Sequence, residues 1–227
     1  MSEFDKVSSN YDEELDRGIC LSGEKSDYFA YNRVAHTAKL NAQSHANSRK
    51  ILDYGCGTGG STKFLLDEFN PDTLFVTDPS ERSLRILKKK YISPQIQTIA
   101  VDSNITKLDC DICYCNGVFH HIPPSERNKA AKFVFNSLKD GGRFYFWENN
   151  PWNPATHWVM SRITFDRDAI KVFPHEAVKL LQKVGFEIKL INYMFIFPRF
   201  LKKLRPIEKL VLKLPLGCQY LVVALKP

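Results

Sequence analysis

No stretch of the 227 residues approaches the ~18 consecutive apolar positions that a membrane-spanning helix needs. The opening residues Met1–Lys6 lack the basic patch and apolar core of a secretory signal, so the expectation is a cytoplasmic protein, with peripheral membrane contact left open. Cysteine is sparse. Six in a chain of this length do not form a disulfide framework, and Cys110-x-x-Cys113 has neither a second pair nor a His-x-His cluster to complete a zinc site. Reduced core thiols and no metal are the expectation. Internal repeats and low-complexity tracts are absent, which excludes a solenoid or a disordered chain. Excess acid is missing as well: residues 1–50 carry 7 basic and 8 acidic side chains, residues 51–150 carry 12 and 12, and residues 151–227 carry 13 and 5. The net +7 is therefore a property of the last third, unlike the even basicity of a nucleic-acid coat, and no nucleic-acid partner is expected.

What is present is an alternation of short apolar runs with stretches at helical spacing, the pattern of a parallel sheet covered by helices. Strands are predicted near Lys50–Tyr54, Thr73–Thr77, Gln97–Val101, Asp111–Cys115, Gly142–Trp147, Glu187–Tyr193 and Gln219–Leu225. Helices are predicted near Ser61–Phe69, Glu81–Lys90, Ser125–Ser137 and His175–Val184, with Pro123-Pro124-Ser125 as a Pro-and-Ser-capped start and Asn70-Pro71 and Asp140-Gly141 as stops. The fold class expected is α/β: a Rossmann-like, seven-stranded, mostly parallel sheet with helices on both faces. Residues 1–49, with two candidate helices, read as an N-terminal flap.

The first strand runs directly into Gly55-Cys56-Gly57-Thr58-Gly59-Gly60 and then a helix. Glycines there let the backbone turn tightly and approach a ligand, and the helix start adds unpaired N–H groups. Gly55, Gly57 and Gly60 also satisfy G-x-G-x-x-G, a weak match when alone. Asp78, 23 residues after Gly55, ends the second strand, where a carboxylate can accept both hydroxyls of a ribose; NAD and S-adenosylmethionine suit it equally. Asp53 discriminates. A pyrophosphate gains nothing from an anion two residues before the first glycine, whereas a cationic methionyl ammonium and sulfonium do.

The run Leu52-Asp53-Tyr54-Gly55-Cys56-Gly57-Thr58-Gly59 resembles the first motif of the class I S-adenosylmethionine-dependent methyltransferases. The resemblance continues through Val76-Thr77-Asp78-Pro79-Ser80, Val101-Asp102-Ser103 and Asn116-Gly117-Val118-Phe119-His120-His121-Ile122-Pro123, in the family's order over roughly residues 50–150. It implies S-adenosyl-L-methionine as cofactor. Asp53 and the backbone of Gly55, Cys56, Gly57 and Gly59 would hold the methionyl part; Asp78, with Pro79 beside it, the ribose; Asp102 and Ser103 the adenine edge; and the main chain of Asn116 the methionyl ammonium. It also implies a single methyltransferase domain over 1–227, with a flap (1–49), a cofactor half (50–150) and an acceptor half (151–227) that carries a basic lid insertion at 194–216.

Methyl transfer needs alignment first, and a base only if the acceptor must lose a proton. His121, on the rim after the fourth strand, is the first candidate base. His157, in the amide- and aromatic-rich stretch after Glu148, is the second. Arg199 to Lys213 holds six basic residues and one acid, with Ile207, Leu210, Val211 and Leu214 at helical spacing after Pro206. Three readings stand for this segment: a face packed on the sheet with solvated lysines, contact with an anionic membrane or lipid-linked acceptor, and nucleic acid. The functional expectation is methyl transfer, at oxygen, to a small-molecule or lipid-like acceptor. The alternatives are a non-catalytic cofactor-binding protein and an RNA methyltransferase.

Overall fold

The computed structural model describes residues 11–44, 48–100, 108–167 and 169–227, with no side-chain detail for residues 11 and 12. Seven strands form one sheet in the order β3-β2-β1-β4-β5-β7-β6: β1 (Lys50–Tyr54), β2 (Thr73–Thr77), β3 (Ile96–Thr98), β4 (Cys110–Asn116), β5 (Leu138–Asn149), β6 (Glu187–Met194) and β7 (Gln219–Leu225). β7 is antiparallel to both β5 and β6, while the pairs from β3 to β5 are parallel. Chain order reverses between β1 and β4, so the carboxyl ends of these two strands open the crevice in which such sheets bind ligands.

Side-chain alternation sorts β4 between two cores. Cys113 and Cys115 face the layer of α5 (Arg127–Ser137) and α7 (Pro174–Val184), whereas Ile112 and Tyr114 face the layer of α2 (Ser26–Gln43), α3 (Thr62–Phe69) and α4 (Glu81–Lys90). The cysteines of β4 are free, fully buried thiols, and burial pushes Cys110 up to about 12.

Four sequence expectations are corrected. The second helix of the expected flap is a fixed part of the sheet's cover, because Val34 is fully buried and Thr37 and Asn41 accept from Trp147 Nε1 (3.1 Å) and Tyr145 Oη (3.2 Å). The first, α1 (Tyr11–Gly18), precedes it. The amide- and aromatic-rich stretch after Glu148, for which no helix is predicted, forms α6 (Pro154–Arg162), capped by Asn153 Oδ1 on Ala155 N (2.8 Å) with Pro in the first turn. The helix expected from Ser125 begins at Arg127 and has no side-chain cap, Pro123 O instead accepting from Glu126 N and Arg127 N. In the basic insertion only α8 (Arg205–Glu208) is α-helical, after a 3-10 turn at Arg199–Leu204, and no residue from 199 to 216 is buried. Its apolar residues therefore do not cover the sheet.

Candidate active site

The glycine loop leaves β1 tied to the end of β2: Gly55 N and Cys56 N both donate to Thr77 O, at 2.8 and 3.0 Å. Asp78 closes the stitch. Its two carboxylate oxygens accept from Gly57 N (2.9 Å) and Ser80 N (2.8 Å), and Ser80 in turn caps α4; Pro79 between them is exposed. The loop glycines divide by role. A Cβ on Gly55 would fall 2.3 Å from Val118, and one on Gly59 2.8 Å from the Tyr91 ring, so these two serve close packing. Gly57, at φ +53°, faces open space, as does Gly60. Cys56 is a buried thiol in the floor of the loop, held protonated by burial.

Asp53, next to the last residue of β1, is 2 % exposed, and its Oδ2 has no hydrogen-bond partner among the described residues. Burial, reinforced by the charge of Asp78, pushes its carboxyl up to about 7. Asn116 Oδ1 and Arg33 Nε are likewise buried and without hydrogen-bond partners among the described residues. Arg33 was missed by sequence reasoning. Its guanidinium is 7 % exposed, donates to Gln219 Oε1 (2.9 Å), and raises no ion pair to a carboxylate among the described residues. The available signal was its place within a buried stripe on α2, Ala30, Arg33, Val34, Thr37 and Asn41, where a guanidinium needs a reason. Asp102 and Ser103 lie outside the described residues.

From Asn116 and Gly117 a cavity of about 410 Å³ extends beneath α6 and α2. Its walls are mainly apolar, with Leu15, Ile19, Phe29, Met160, Phe165 and Phe197 among them, and its ionisable side chains include Glu24, Arg33, His120, His121, Asp166 and Arg205. This size and polarity match a small-molecule site. The histidines stand on a 3-10 turn (Phe119–His121) that Arg127 clamps through Phe119 O, Ile122 O and Ile170 O. Glu148, at the end of β5, accepts from Phe119 N (2.8 Å) and from His120 Nδ1 (2.6 Å). Asp166 Oδ1 is 3.3 Å from His120 Nε2 and 3.2 Å from His121 Nε2.

These contacts give the two rings opposite characters. Burial opposes charge on both, but at His120 the paired Glu148 and Asp166 outweigh it and hold the ring protonated, up to about 10. At His121 burial dominates and lowers the value, leaving a neutral imidazole. Asp166 is pulled down to about 2, against its burial, by hydrogen bonds from both rings. The donor atoms of His120, His121 and Asp166 lie within 4.8 Å of one another, a composition that suits a divalent ion; here they are bridged by protons. His157 does not join them. Its Nε2 is held on Pro151 O at 2.6 Å, and its neighbours Thr156 and Trp158 line the cavity while it does not.

Residues 51–142 match the family model described as a methyltransferase domain. Carboxy-S-adenosyl-L-methionine synthase of Psychrobacter is 28% identical over 120 residues, 48% of this chain and 43% of that protein. Trans-aconitate 2-methyltransferase of Rhodopseudomonas palustris is 25% identical over 118 residues, 52% and 45%. The matches thus span less than half the length of these curated relatives. A solved S-adenosylmethionine-dependent methyltransferase from Archaeoglobus fulgidus superposes with a TM-score of 0.63 at 17% identity, covering 86% of this chain and 94% of that one. Residues 51–142 are therefore a methyltransferase domain by sequence, and the chain has the fold of S-adenosylmethionine-dependent methyltransferases.

Proposed function

We propose that the protein transfers the methyl group of S-adenosylmethionine to a largely apolar, small or lipid-like acceptor, at an oxygen atom. The observation that supports this reading is the mainly apolar cavity lined by Asn116 and Gly117, at the carboxyl end of β4, and by the His120, His121 and Asp166 cluster.

The chain's residues fit the cofactor. A buried carboxylate with an orphaned oxygen, Asp53, suits a cation; a buried guanidinium with no carboxylate partner among the described residues, Arg33, suits a carboxylate; and the open faces of Gly57 and Gly60 leave room for a ligand against the backbone. Asp53 would hold the ammonium end, Arg33 the carboxylate, Asp78 the ribose hydroxyls and the Asn116 main chain the methionyl group. Bound there, S-adenosylmethionine supplies a methyl on a positively charged sulfur, already activated for in-line displacement.

The remaining work falls to the protein. The cavity walls exclude water and align the acceptor, which supplies most of the rate in such a transfer. His121, neutral and in the cavity wall, is the proton acceptor for a hydroxyl, and Asp166 steadies the imidazolium that forms. Protonated His120, locked between Glu148 and Asp166, is a positioning residue that fixes the turn. His157 has no such place.

Calorimetric titration with S-adenosylmethionine is the first test: the wild type should bind and Asp78→Ala should not. Transfer of a labelled methyl group should then enter organic-soluble material from a lipid extract, and His121→Ala should lose turnover while keeping cofactor affinity. Absence of cofactor binding would sink the reading as a whole, and transfer only into RNA would sink its acceptor.

A further inference from the structure

Residues 199–216 are folded with their sides reversed. The charged groups Glu208 and Arg205 turn inward. Glu208 accepts from Phe195 N (3.2 Å), Ile196 N (3.3 Å) and Phe197 N (2.9 Å), and Arg205 lies 4.5 Å over the Tyr28 ring, pairs with Glu24 (2.9 Å) and donates to Phe197 O. The backbone is tied down too, with Asn150 on Pro215 O and Gly217 O, Asn153 on Leu216 O, and Tyr193 N on Leu212 O (2.7 Å). The large apolar side chains are left outward: Phe200 is 78% and Leu210 85% exposed, and Leu204, Ile207, Leu214 and Leu216 are exposed with them. Lys202, Lys203, Lys209 and Lys213 are interspersed and also exposed.

Water does not select this arrangement. Exposed apolar clusters of such extent mark contact surfaces, and lysines set among them select an anionic, apolar partner. The patch also adjoins the cavity, whose wall includes Phe197, Pro198 and Arg205, so whatever docks there faces the acceptor's entrance. We infer that residues 199–216 are a docking surface for an anionic lipid membrane, with Phe200 and Leu210 inserting and the lysines meeting phosphate headgroups. No described helix is long and apolar enough to cross a membrane, so the contact is peripheral. The inference stands on the surface alone and does not need the methyltransferase reading.

The test is flotation of the full chain with vesicles of phosphatidylcholine, with and without a quarter phosphatidylglycerol. Binding should require the anionic lipid and weaken as salt rises from 0.1 to 0.5 M. Lys202→Gln with Lys203→Gln should weaken it roughly 30-fold, and Phe200→Glu with Leu210→Glu about 100-fold or more. All variants should melt cooperatively within a few degrees of the wild type, which reports an intact fold separately from the membrane contact. No binding to anionic vesicles, or binding that neither pair of substitutions changes, overturns the inference. So does a wild-type dimer that Phe200→Glu with Leu210→Glu dissociates while vesicles are ignored, since the patch would then join two copies of the chain.

Discussion

Asp53 and the positive charge proposed to lie against it should titrate as one system. In the ligand-free protein, burial and then the charge of Asp78 push the Asp53 carboxyl up to about 7, so half of the molecules carry a neutral acid at that pH. A bound cation favours the ionised form, and binding below pH 7 must release the proton. At pH 5.5 only about one molecule in thirty is ionised, so affinity for S-adenosylmethionine should fall about 15-fold between pH 7 and 5.5, about 1.6 kcal/mol. The window is clean, because the sulfonium is permanently charged and an α-amino group, at about 7.7–8.0, stays protonated throughout it. Calorimetry in two buffers of different ionisation enthalpy counts the protons: about half a proton released per binding event at pH 7 and nearly one at pH 5.5. Asp53→Asn should bind weakly with a flat pH profile. It should not be less stable. A carboxyl whose folded pKa exceeds its unfolded value binds more protons folded than unfolded, so its contribution to stability falls as pH rises from about 4 through about 7. At pH 8 the ligand-free variant should melt at or above the wild type. Affinity unchanged from pH 7 to 5.5, with no proton release, would refute the pairing of Asp53 with a cation.

Arg33→Met should weaken S-adenosylmethionine binding by about 1.5–3 kcal/mol, the usual worth of a hydrogen bond to a charged group, and leave binding of the decarboxylated cofactor unchanged in the same titration. Gly57→Ala places a methyl group in open space at φ +53°, so it should lower the melting temperature by only about 2–4 °C while abolishing cofactor binding; intact binding would show that the open face is not the cradle. Glu148→Gln breaks a fully buried charge pair and should cost about 3–5 kcal/mol, read by denaturant unfolding at pH 7. Because the His120 pKa is raised by folding, to about 10, its contribution is complete below the ordinary histidine value and is lost as pH rises through about 10. Wild-type stability should decline toward that pH, and the decline should be shallower and shifted to lower pH in Glu148→Gln, where Asp166 alone supports the charged ring.

The parts of the fold legible in sequence are those whose signals are local. β1, β2 and α4 fall where the periodicity predicts them, and Asp53 and Asp78 could be picked out because each sits within one turn of a glycine loop or strand end. α6 is not predicted although its signal is present: Asn153 followed by Pro154 is a cap and a first-turn proline, but the surrounding amides and tryptophans also fit a rigid loop. The acceptor end is different in kind. Arg33 meets Gln219 across 186 positions, and Asp166 meets His120 across 46, so no local pattern announces either pair. The basic insertion shows the limit most sharply. Leucines and lysines at helical spacing read the same whether the apolar stripe faces the sheet or the solvent. Its direction is decided by the few polar groups that find partners inside: Glu208 satisfies three backbone donors of residues 195–197, and Arg205 satisfies Glu24. Turning these two inward forces the stripe outward. A carboxylate among lysines, able to turn inward onto free backbone donors, is thus the feature to look for when an amphipathic segment is to be assigned to a core or to a surface.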